Sequence, residues 1–323
     1  MNTRGSVLLY VVWAIVLLSL FAASIASQAI FSLGLTERLT DQLRASYVAR
    51  GAAQYAAAAL ARDATNSIDG LADPWVDNPG LFRTAQLGQE SFQISSQDEE
   101  GKGVRYGLLD EERRINLNTA PEDVLQRLGE MVGLREDEAI RWADAVQDWR
   151  DADDKERPHG AEGIYYRSLS DGYDCKNGPF EHPEELLLVR GVSHELYERL
   201  KPHITTYGSG RLNLNTATPV ALAALGLSQA GLDGLQAYRA GEDGVQGTGD
   251  ERVLISMDSM NTELAPFMPP EEIARLTLLG GFLGVGSSEF RMTIATGLTR
   301  RASSLTVDCL MGRDGTVTVW EER

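Results

Sequence analysis

The chain has 323 residues, of which 47 are acidic and 30 are basic, and its net charge at neutral pH is −17. Binding to nucleic acid or to an anionic membrane surface depends on lysine and arginine side chains, so this charge balance argues against both. The length beyond the apolar N-terminus exceeds one average domain and predicts two or three compact units. Cys175 and Cys309 are too few for a disulfide framework; one disulfide and two separate buried thiols both fit the sequence.

The N-terminus combines a basic residue, a glycine and a long apolar segment. Arg4 and Gly5 precede an uncharged stretch from Ser6 to Thr36, which exceeds the about 20 apolar residues that a membrane-spanning helix needs. A cleaved secretory signal would have a shorter apolar core with its cleavage site after it. Here the glycine comes first, which is the layout of a prepilin leader. We therefore predict a transmembrane helix over residues 6–36.

The charges on either side of this helix predict its orientation. Arg4 precedes the apolar segment, and the long acidic part of the chain follows it. Because the positive flank stays on the cytoplasmic side, we expect a single-pass protein of the inner membrane. The bulk of the chain is then periplasmic in a Gram-negative cell.

Helical spacing of apolar residues continues from Glu37 to Ile68 and predicts that the helix extends beyond the membrane as a pilin-type spine. A single-pass anchor followed by a short packing helix is the alternative. Alternating apolar residues predict strands over Ser91–Gln97 and Val104–Leu109, and again in three segments after residue 289. The sequence thus predicts a sheet whose early and late strands are separated by a long helical block.

Within that block a short pattern occurs twice. Arg114–Pro121 reads Arg-Ile-Asn-Leu-Asn-Thr-Ala-Pro, and Arg211–Pro219 repeats it with one conservative change and one extra threonine. Asparagine side chains can bond the local backbone. In the first copy, Thr119 or Asn118 can cap the following helix, and Pro121 suits its first turn. We predict two small helical subdomains, each opened by the same capped turn.

The repeated Asn-Leu-Asn-Thr-Ala also occurs in helix-hairpin-helix modules that bind the DNA backbone. Such modules need a glycine-rich hairpin with basic residues nearby. The candidate hairpins at Gly133 and Gly191 have a single glycine each. The residues around them are acidic and repel phosphate: Glu130, Glu136, Asp137, Glu138, Glu184, Glu185 and Glu195. A membrane-anchored DNA-uptake receptor is therefore only an alternative, and no nucleic-acid partner is expected.

Carboxylates cluster between the two copies of the repeat, from Asp148 to Asp174. Carboxylate oxygens in a loop suit Ca²⁺, which takes six to eight oxygen ligands. An EF-hand is excluded, because counting from Asp151 puts Lys155 where its fifth-position ligand belongs. On the residues alone, a calcium site and a solvated acidic loop remain equally open.

Patterns for catalysis are weak. The four histidines (His159, His182, His194 and His203) have no close ligand pairing, although a zinc site needs neighbouring nitrogen or sulfur donors. The sequence has no Gly-x-Ser-x-Gly elbow and no P-loop with its lysine. We therefore expect a protein that is not an enzyme.

Together these features resemble a known family, the minor pseudopilin K family of the bacterial type II secretion system, also called general secretion pathway protein K. The motifs that carry the resemblance span nearly the whole chain: Arg4-Gly5, both copies of Asn-Leu-Asn-Thr-Ala, Trp149–Asp153, Gly160–Glu162, Tyr165-Tyr166, Asn177–Phe180 and Glu184–Leu186.

The resemblance implies an α+β, pilin-like fold in which a long N-terminal helix packs on an antiparallel sheet. It also implies a large all-α insert of two helix-hairpin-helix or SAM-like subdomains. The expected segments are a leader (1–5), the transmembrane helix (6–36), the spine helix and first strands (37–110), the first insert subdomain with the acidic loop (111–207), the second insert subdomain (208–284) and the C-terminal strands (285–323).

The resemblance further implies cleavage by a prepilin peptidase after Gly5, methylation of the new amino terminus at Ser6, and structural calcium in the insert. The candidate calcium ligands are the carboxylates of the acidic loop: Asp151, Asp153, Asp154, Glu162 and Asp174.

One departure from typical pilins concerns the fifth residue after the cleavage site. Pilins carry a glutamate there that can pair with a neighbour's amino terminus, whereas this chain has Tyr10. Members of the resembling family also lack the acid, which suits a subunit with none above it. We therefore expect a tip subunit that assembles with the minor pseudopilins I and J and promotes export of folded proteins. A type IV pilus minor pilin is the alternative.

Overall fold

The computed structural model describes residues 3–63, 67–97, 103–297 and 304–323, without the side chains of residues 3–6. Helix α1 (Thr3–Leu60) has 58 residues and is therefore about 87 Å long at 1.5 Å per residue. In the described part of the chain, α1 is long and apolar enough to cross a membrane. Its most apolar part is not buried in the protein. An exposed apolar helix of this length agrees with the predicted single-pass anchor.

The last third of α1 is the spine that packs on the sheet. The residues facing the sheet are small and fully or almost fully buried: Ala45, Ala49, Ala52, Ala53 and Ala56. Small side chains allow the helix to lie close to the sheet, and alanine also has the strongest helix propensity. Tyr55 extends the contact sideways, with its ring 5.4 Å from that of Phe92. The continuous spine helix agrees with the sequence prediction, but it ends at Leu60 and does not continue to Ile68.

The strands are short except for four in the main sheet. In chain order they are β1 (Ala85–Leu87), β2 (Glu90–Gln97), β3 (Val104–Arg105), β4 (Leu109–Asp110), β5 (Ile115–Asn116), β6 (Ile204–Thr205), β7 (Leu212–Asn213), β8 (Leu283–Gly284), β9 (Glu289–Gly297), β10 (Thr306–Gly312) and β11 (Val317–Glu322). The further helices are α2 (Pro79–Phe82), α3 (Glu122–Met131), α4 (Glu136–Arg150), α5 (Gly163–Arg167), α6 (His194–Leu200), α7 (Pro219–Ala224), α8 (Gln229–Arg239), α9 (Met260–Leu264) and α10 (Pro270–Leu278).

The main sheet is antiparallel, with strands in the order β1-β2-β9-β10-β11. Strands β2 and β9 are neighbours although the whole insert lies between them in sequence, and Ile94 stands opposite Ile294. Alternate residues of β9 are buried under α1, as the period of two predicted. The insert therefore leaves and re-enters the sheet at two adjacent strands.

The strand predicted over Val104–Leu109 is divided into β3, which pairs with β2, and β4, which pairs with β9. Between them the backbone bonds to another segment: the Leu108 amide donates to the carbonyl of Trp75 at 2.8 Å. Gly107 lies against the Trp75 and Val76 carbonyls, where a Cβ would collide with both. One continuous strand was therefore a wrong prediction, because the chain turns here to cover the loop after α1.

The insert is mainly helical but not all-α, which corrects the prediction. Strands β5 and β6 form one short parallel pair, and β7 and β8 form another. Each pair joins the repeated motif to the segment that ends its subdomain, because the asparagine-rich turn is extended and its backbone needs partners. Strands β4, β6 and β8 end at residues 110, 205 and 284, and the predicted segment bounds are residues 110, 207 and 284.

The two insert subdomains share one hydrophobic core. A continuous cluster of buried residues extends from Ile115 through Trp149 and Leu200 to Leu283, and it is separate from the cluster between α1 and the sheet. A shared core fixes the two subdomains to each other, so the insert is one compact body attached to the sheet at β4 and at the start of the central strand β9.

Candidate functional site

The two copies of the repeat form the same turn. In the first copy the Asn116 Oδ1 atom accepts the amide of Asn118 at 2.9 Å. In the second copy Asn213 Oδ1 accepts the amide of Asn215 at 3.0 Å. The first asparagine of each copy therefore holds its own backbone turn, as the sequence suggested.

The second asparagine of each copy acts as a clamp on a distant segment. Asn118 Oδ1 accepts the Phe180 amide at 2.7 Å, and its Nδ2 donates to the Phe180 carbonyl at 3.0 Å. Asn215 binds Leu254 in the same way, with its Oδ1 accepting the amide at 2.8 Å and its Nδ2 donating to the carbonyl at 3.1 Å. We call these two pairs the asparagine clamps; each closes the long loop of its subdomain.

The predicted helix caps are wrong in the first copy. Helix α3 follows Pro121 without a side-chain cap; Asn118 instead binds Phe180, and the Thr119 hydroxyl donates to the Gly210 carbonyl. In the second copy the extra residue Thr218 caps α7 by accepting the Ala221 amide at 3.0 Å. The long-range contacts of the first turn replace the local cap that its residue types suggested.

The insert is anchored to the sheet by buried acids at the end of β4. Asp110 accepts from Asn213 at 3.0 Å and from the Thr216 hydroxyl, which joins it to the second copy of the repeat. Nearby, Asp69 forms an ion pair with Arg313. Burial raises the pKa of Asp69 to about 7 even though Arg313 opposes the shift. These contacts link the loop after α1, the sheet and the second subdomain.

The next two acids extend this junction to strand β9, to the end of the first subdomain and to the start of the second. Glu111 pairs with Arg291 of β9 at 2.9 Å and accepts from the Thr205 hydroxyl at 2.8 Å. Glu112 accepts the amide of Ser209 at 2.7 Å. Sequence reasoning missed this junction, because adjacent acids in so acidic a chain carry no signal that they are buried.

The acidic loop brings three of the five predicted metal ligands together. Carboxylate oxygens of Asp151, Asp153 and Glu162 all lie within 4.8 Å of one another. Glu162 is only 4% exposed, and neither of its carboxylate oxygens has a hydrogen-bond partner. Burial raises the pKa of Glu162 to about 7, and the neighbouring Asp148 carboxylate adds to the rise. We refer to these three acids as the carboxylate cluster.

The other two predicted ligands bind other residues. Asp154 accepts from Asn177 Nδ2 at 2.8 Å. Asp174 pairs with Arg167 at 2.9 Å and its side chain is 79% exposed. The structure therefore does not bring Asp154 and Asp174 into the cluster. The loop folds over an aromatic group instead, in which the Trp149 ring lies 5.1 Å from that of Tyr166.

The carboxylate cluster fits a hard divalent cation. All three donors are oxygens, which Ca²⁺ prefers, and a buried carboxylate without a partner has a large cost that a cation would remove. A second trio of acids, Asp63, Asp69 and Asp73, has oxygens equally close together. There Asp69 is already neutralised by Arg313, so we assign no metal to it.

Both predicted hairpin glycines adopt the left-handed conformation, with φ of 97° at Gly133 and 81° at Gly191. One arginine near the first hairpin, Arg135, is bound by its own acidic neighbours Asp137 at 3.6 Å and Glu138 at 3.0 Å. The turns are therefore hairpins, but this cation is already paired, which is unfavourable for phosphate binding.

Comparison with known proteins finds a family model that matches the first insert subdomain. The family model described as type II secretion system (T2SS), protein K matches residues 106–209, which include the first repeat and the acidic loop. Type II secretion system protein K of Klebsiella pneumoniae is 29% identical over 238 residues, covering 69% of this chain and 69% of that protein. Over about two thirds of its length the chain is thus similar to type II secretion system protein K, as the sequence predicted. Protein K of Aeromonas hydrophila is 36% identical over 119 residues, 35% of this chain and 36% of that protein.

A solved structure has the same fold as this chain. It is described as the crystal structure of the GspK-GspI-GspJ complex from the enterotoxigenic Escherichia coli type 2 secretion system, and one chain matches with a TM-score of 0.65 at 21% identity. The match covers 89% of this chain and 99% of that chain. The predicted α+β fold with a long N-terminal helix on an antiparallel sheet is thereby confirmed. The family supplies structural components of secretion.

Proposed function

We propose that this minor pseudopilin of type II secretion forms the tip of the pseudopilus, together with the minor pseudopilins I and J. The observation that carries the proposal is that the chain combines a long exposed α1 with a bulky insert joined to the sheet at β4 and β9. Helix α1 supplies an apolar surface that neighbouring helices can cover. The insert adds a compact body that would obstruct a repeating filament.

Residue Tyr10 also supports a location at the tip of the pseudopilus. Tyr10 is 73% exposed on α1, and it stands where a pilin that pairs with the subunit above it would carry glutamate. Without that acid, this chain has no charge to offer a neighbour's amino terminus. A subunit at the end of the assembly needs none, and from there it can initiate assembly and promote export of folded proteins across the outer membrane.

Labelling of pseudopili tests this position. We expect an antibody against the insert to label one end of each filament that assembles with this chain. Label along the whole length would contradict the tip assignment. In cells lacking the chain, we expect exported proteins to accumulate in the periplasm until the wild-type chain is restored.

Processing at Gly5 and methylation at Ser6 are part of the proposal. Both residues lie in the first turns of α1, and their side chains are outside the described part of the chain. We expect Gly5→Val to leave the leader attached and to abolish complementation. Gly34→Ala is the matched control in the same helix, because a Cβ at Gly34 meets no atom within 4 Å. Mass spectrometry of the amino terminus distinguishes the two variants.

We place α1 across the inner membrane with the rest of the chain in the periplasm. The support is the exposed apolar helix and the charge order around it. Protease added to spheroplasts should then digest the insert, whereas the same protease added to intact cells should not. Resistance in spheroplasts would place the bulk of the chain on the cytoplasmic side.

We further propose that the carboxylate cluster holds a structural Ca²⁺ ion through Asp151, Asp153 and Glu162. The ion would supply positive charge to the unpartnered Glu162 carboxylate and fix the acidic loop. Because a ligand that binds only the folded state stabilises it, Ca²⁺ at ten times its Kd should add about 1.4 kcal/mol. Thermal melting of the full chain in detergent, in EDTA and in about 1 mM Ca²⁺, measures this effect.

Two variants test the ligand assignment. Glu162→Gln should remove the calcium-dependent stabilisation, whereas Asp174→Asn should keep it, because Asp174 lies outside the cluster. Equal stabilisation of Glu162→Gln and the wild type would contradict the assigned site.

A further inference from the structure

The backbone that precedes Glu162 is attached to helix α4 by two buried acids. Asp144 and Asp148 lie one helical turn apart on α4, and their side chains are 5% and 0% exposed. Asp144 accepts the His159 amide at 3.0 Å. Asp148 accepts the Arg157 amide at 3.2 Å.

The loop backbone is tightly packed where it meets Asp148. A Cβ at Gly160 would collide with Asp148 Oδ2, so the loop backbone lies directly on the carboxylate. On its other side, Arg190 donates to the Gly160 carbonyl at 2.6 Å while its guanidinium lies 4.7 Å from the Tyr165 ring centroid. Residues 157–161 are therefore held from two sides immediately before Glu162.

The second subdomain provides an internal comparison. Arg150 ends α4 and donates to the Ala120 carbonyl at 2.7 Å; Arg239 ends α8 and donates to the Ala217 carbonyl at 3.0 Å. Since Ala120 and Ala217 are the same position of the repeat, the two helix ends correspond. Two residues before these arginines stand Asp148 in the first subdomain and Ala237 in the second.

Asp148 is not part of the structure that the two subdomains have in common. The second subdomain forms the same turn, asparagine clamp and helix pair with alanine at the position of Asp148. The carboxylate at residue 148 is therefore not required by the architecture that the subdomains share. It occurs in the subdomain whose loop carries the carboxylate cluster.

We propose that Asp148 is a positioning residue for the calcium site, and that Asp144 assists it. By binding the Arg157 amide and packing against Gly160, Asp148 fixes the backbone so that Glu162 faces Asp151 and Asp153 before the ion binds. This inference rests on the proposed calcium site. Residues that orient metal ligands typically change metal affinity by about 10- to 100-fold when mutated.

The test compares four variants of the full chain in detergent with the wild type, using Ca²⁺ titration calorimetry and hydrogen exchange in EDTA. Asp148→Ala should weaken Ca²⁺ binding by at least about tenfold and speed the exchange of the Arg157, His159 and Gly160 amides in EDTA. Asp148→Asn keeps one acceptor oxygen and should fall between Asp148→Ala and the wild type. It also serves as the test should Asp148→Ala not fold.

Glu162→Gln should lose Ca²⁺ binding but keep slow exchange over 157–161 in EDTA, which separates a ligand from a positioning residue. Asp233→Asn changes an exposed acid on α8 and should leave both measurements unchanged. If Glu162→Gln loses binding while Asp148→Ala binds Ca²⁺ like the wild type, the positioning role is overturned and the calcium site stands. If the wild type binds no Ca²⁺, the site and the inference both fail.

Discussion

The asparagine clamps allow one interaction to be measured twice in the same protein. Replacing Asn215 by alanine removes two donated hydrogen bonds and one accepted bond, to Leu254 and Val285. Asn215 is 1% exposed and Leu254 is 0% exposed, so water cannot replace the lost partner of the Leu254 amide. Because each buried group left without a partner costs about 1–3 kcal/mol, we expect the substitution to destabilise the second subdomain by about 2–4 kcal/mol.

Asn118→Ala is the matched control. It removes the equivalent clamp on Phe180, but Asn118 is half-buried. Water can then reach part of the vacated space, so the loss of stability should be smaller than for Asn215→Ala.

Hydrogen exchange of the full chain measures both effects under native conditions. A loss of 2–4 kcal/mol corresponds to about 30- to 700-fold faster exchange of the protected amides around Leu254, since 1.4 kcal/mol is tenfold. A loss for Asn215→Ala equal to or below that for Asn118→Ala would refute the argument that burial sets the cost.

Three further predictions concern other parts of the chain. Burial raises the folded-state pKa of Asp69 from 3.8 to about 7. The protonated side chain therefore contributes stability that is fully present below about pH 4 and is lost as the pH rises to 7. Asp69→Asn should make the melting temperature less dependent on pH across this range. Gly160→Ala should cost about 1–3 kcal/mol by overpacking, whereas Gly178→Ala in the same loop should be neutral, because its Cβ meets nothing closer than 3.7 Å; urea unfolding compares them. Ala56→Leu on the buried face of α1 should cost a similar amount, and Ala58→Leu on the exposed face should not, as measured by thermal melting.

Long, strongly patterned segments could be predicted from the sequence. Helix α1 follows from its apolar and alanine-rich composition, and β2 and β9 follow from alternation, because both patterns are local. The repeat also predicted two related subdomains, since identical residue types form the same turn at Asn116 and Asn213.

Long-range contacts could not be predicted in the same way. Asn118 binds a residue 62 positions away and Asn215 binds one 39 positions away, so a local cap was the natural but incorrect reading of Thr119. The break of the strand at Gly107 likewise depends on carbonyls of Trp75 and Val76. In both cases, contacts with residues distant in sequence override the local preference.

At the candidate calcium site, too, the residue types could be predicted from the sequence but the long-range contacts could not. Residue chemistry indicated which acids could bind a cation, but only the fold separates Asp151, Asp153 and Glu162 from Asp154 and Asp174. The supporting acids Asp144 and Asp148 have helical spacing that could have suggested a shared face, but nothing local indicates that this face binds the loop.

The most direct test of the central claim is purification of the tagged full chain from detergent-solubilised membranes of cells that express the pseudopilins I and J of the same system. We predict that I and J elute with it in a stable complex of fixed stoichiometry, because α1 and the sheet edges then have their partners. Elution of I and J together with each other while this chain elutes alone would contradict its assignment as the tip subunit.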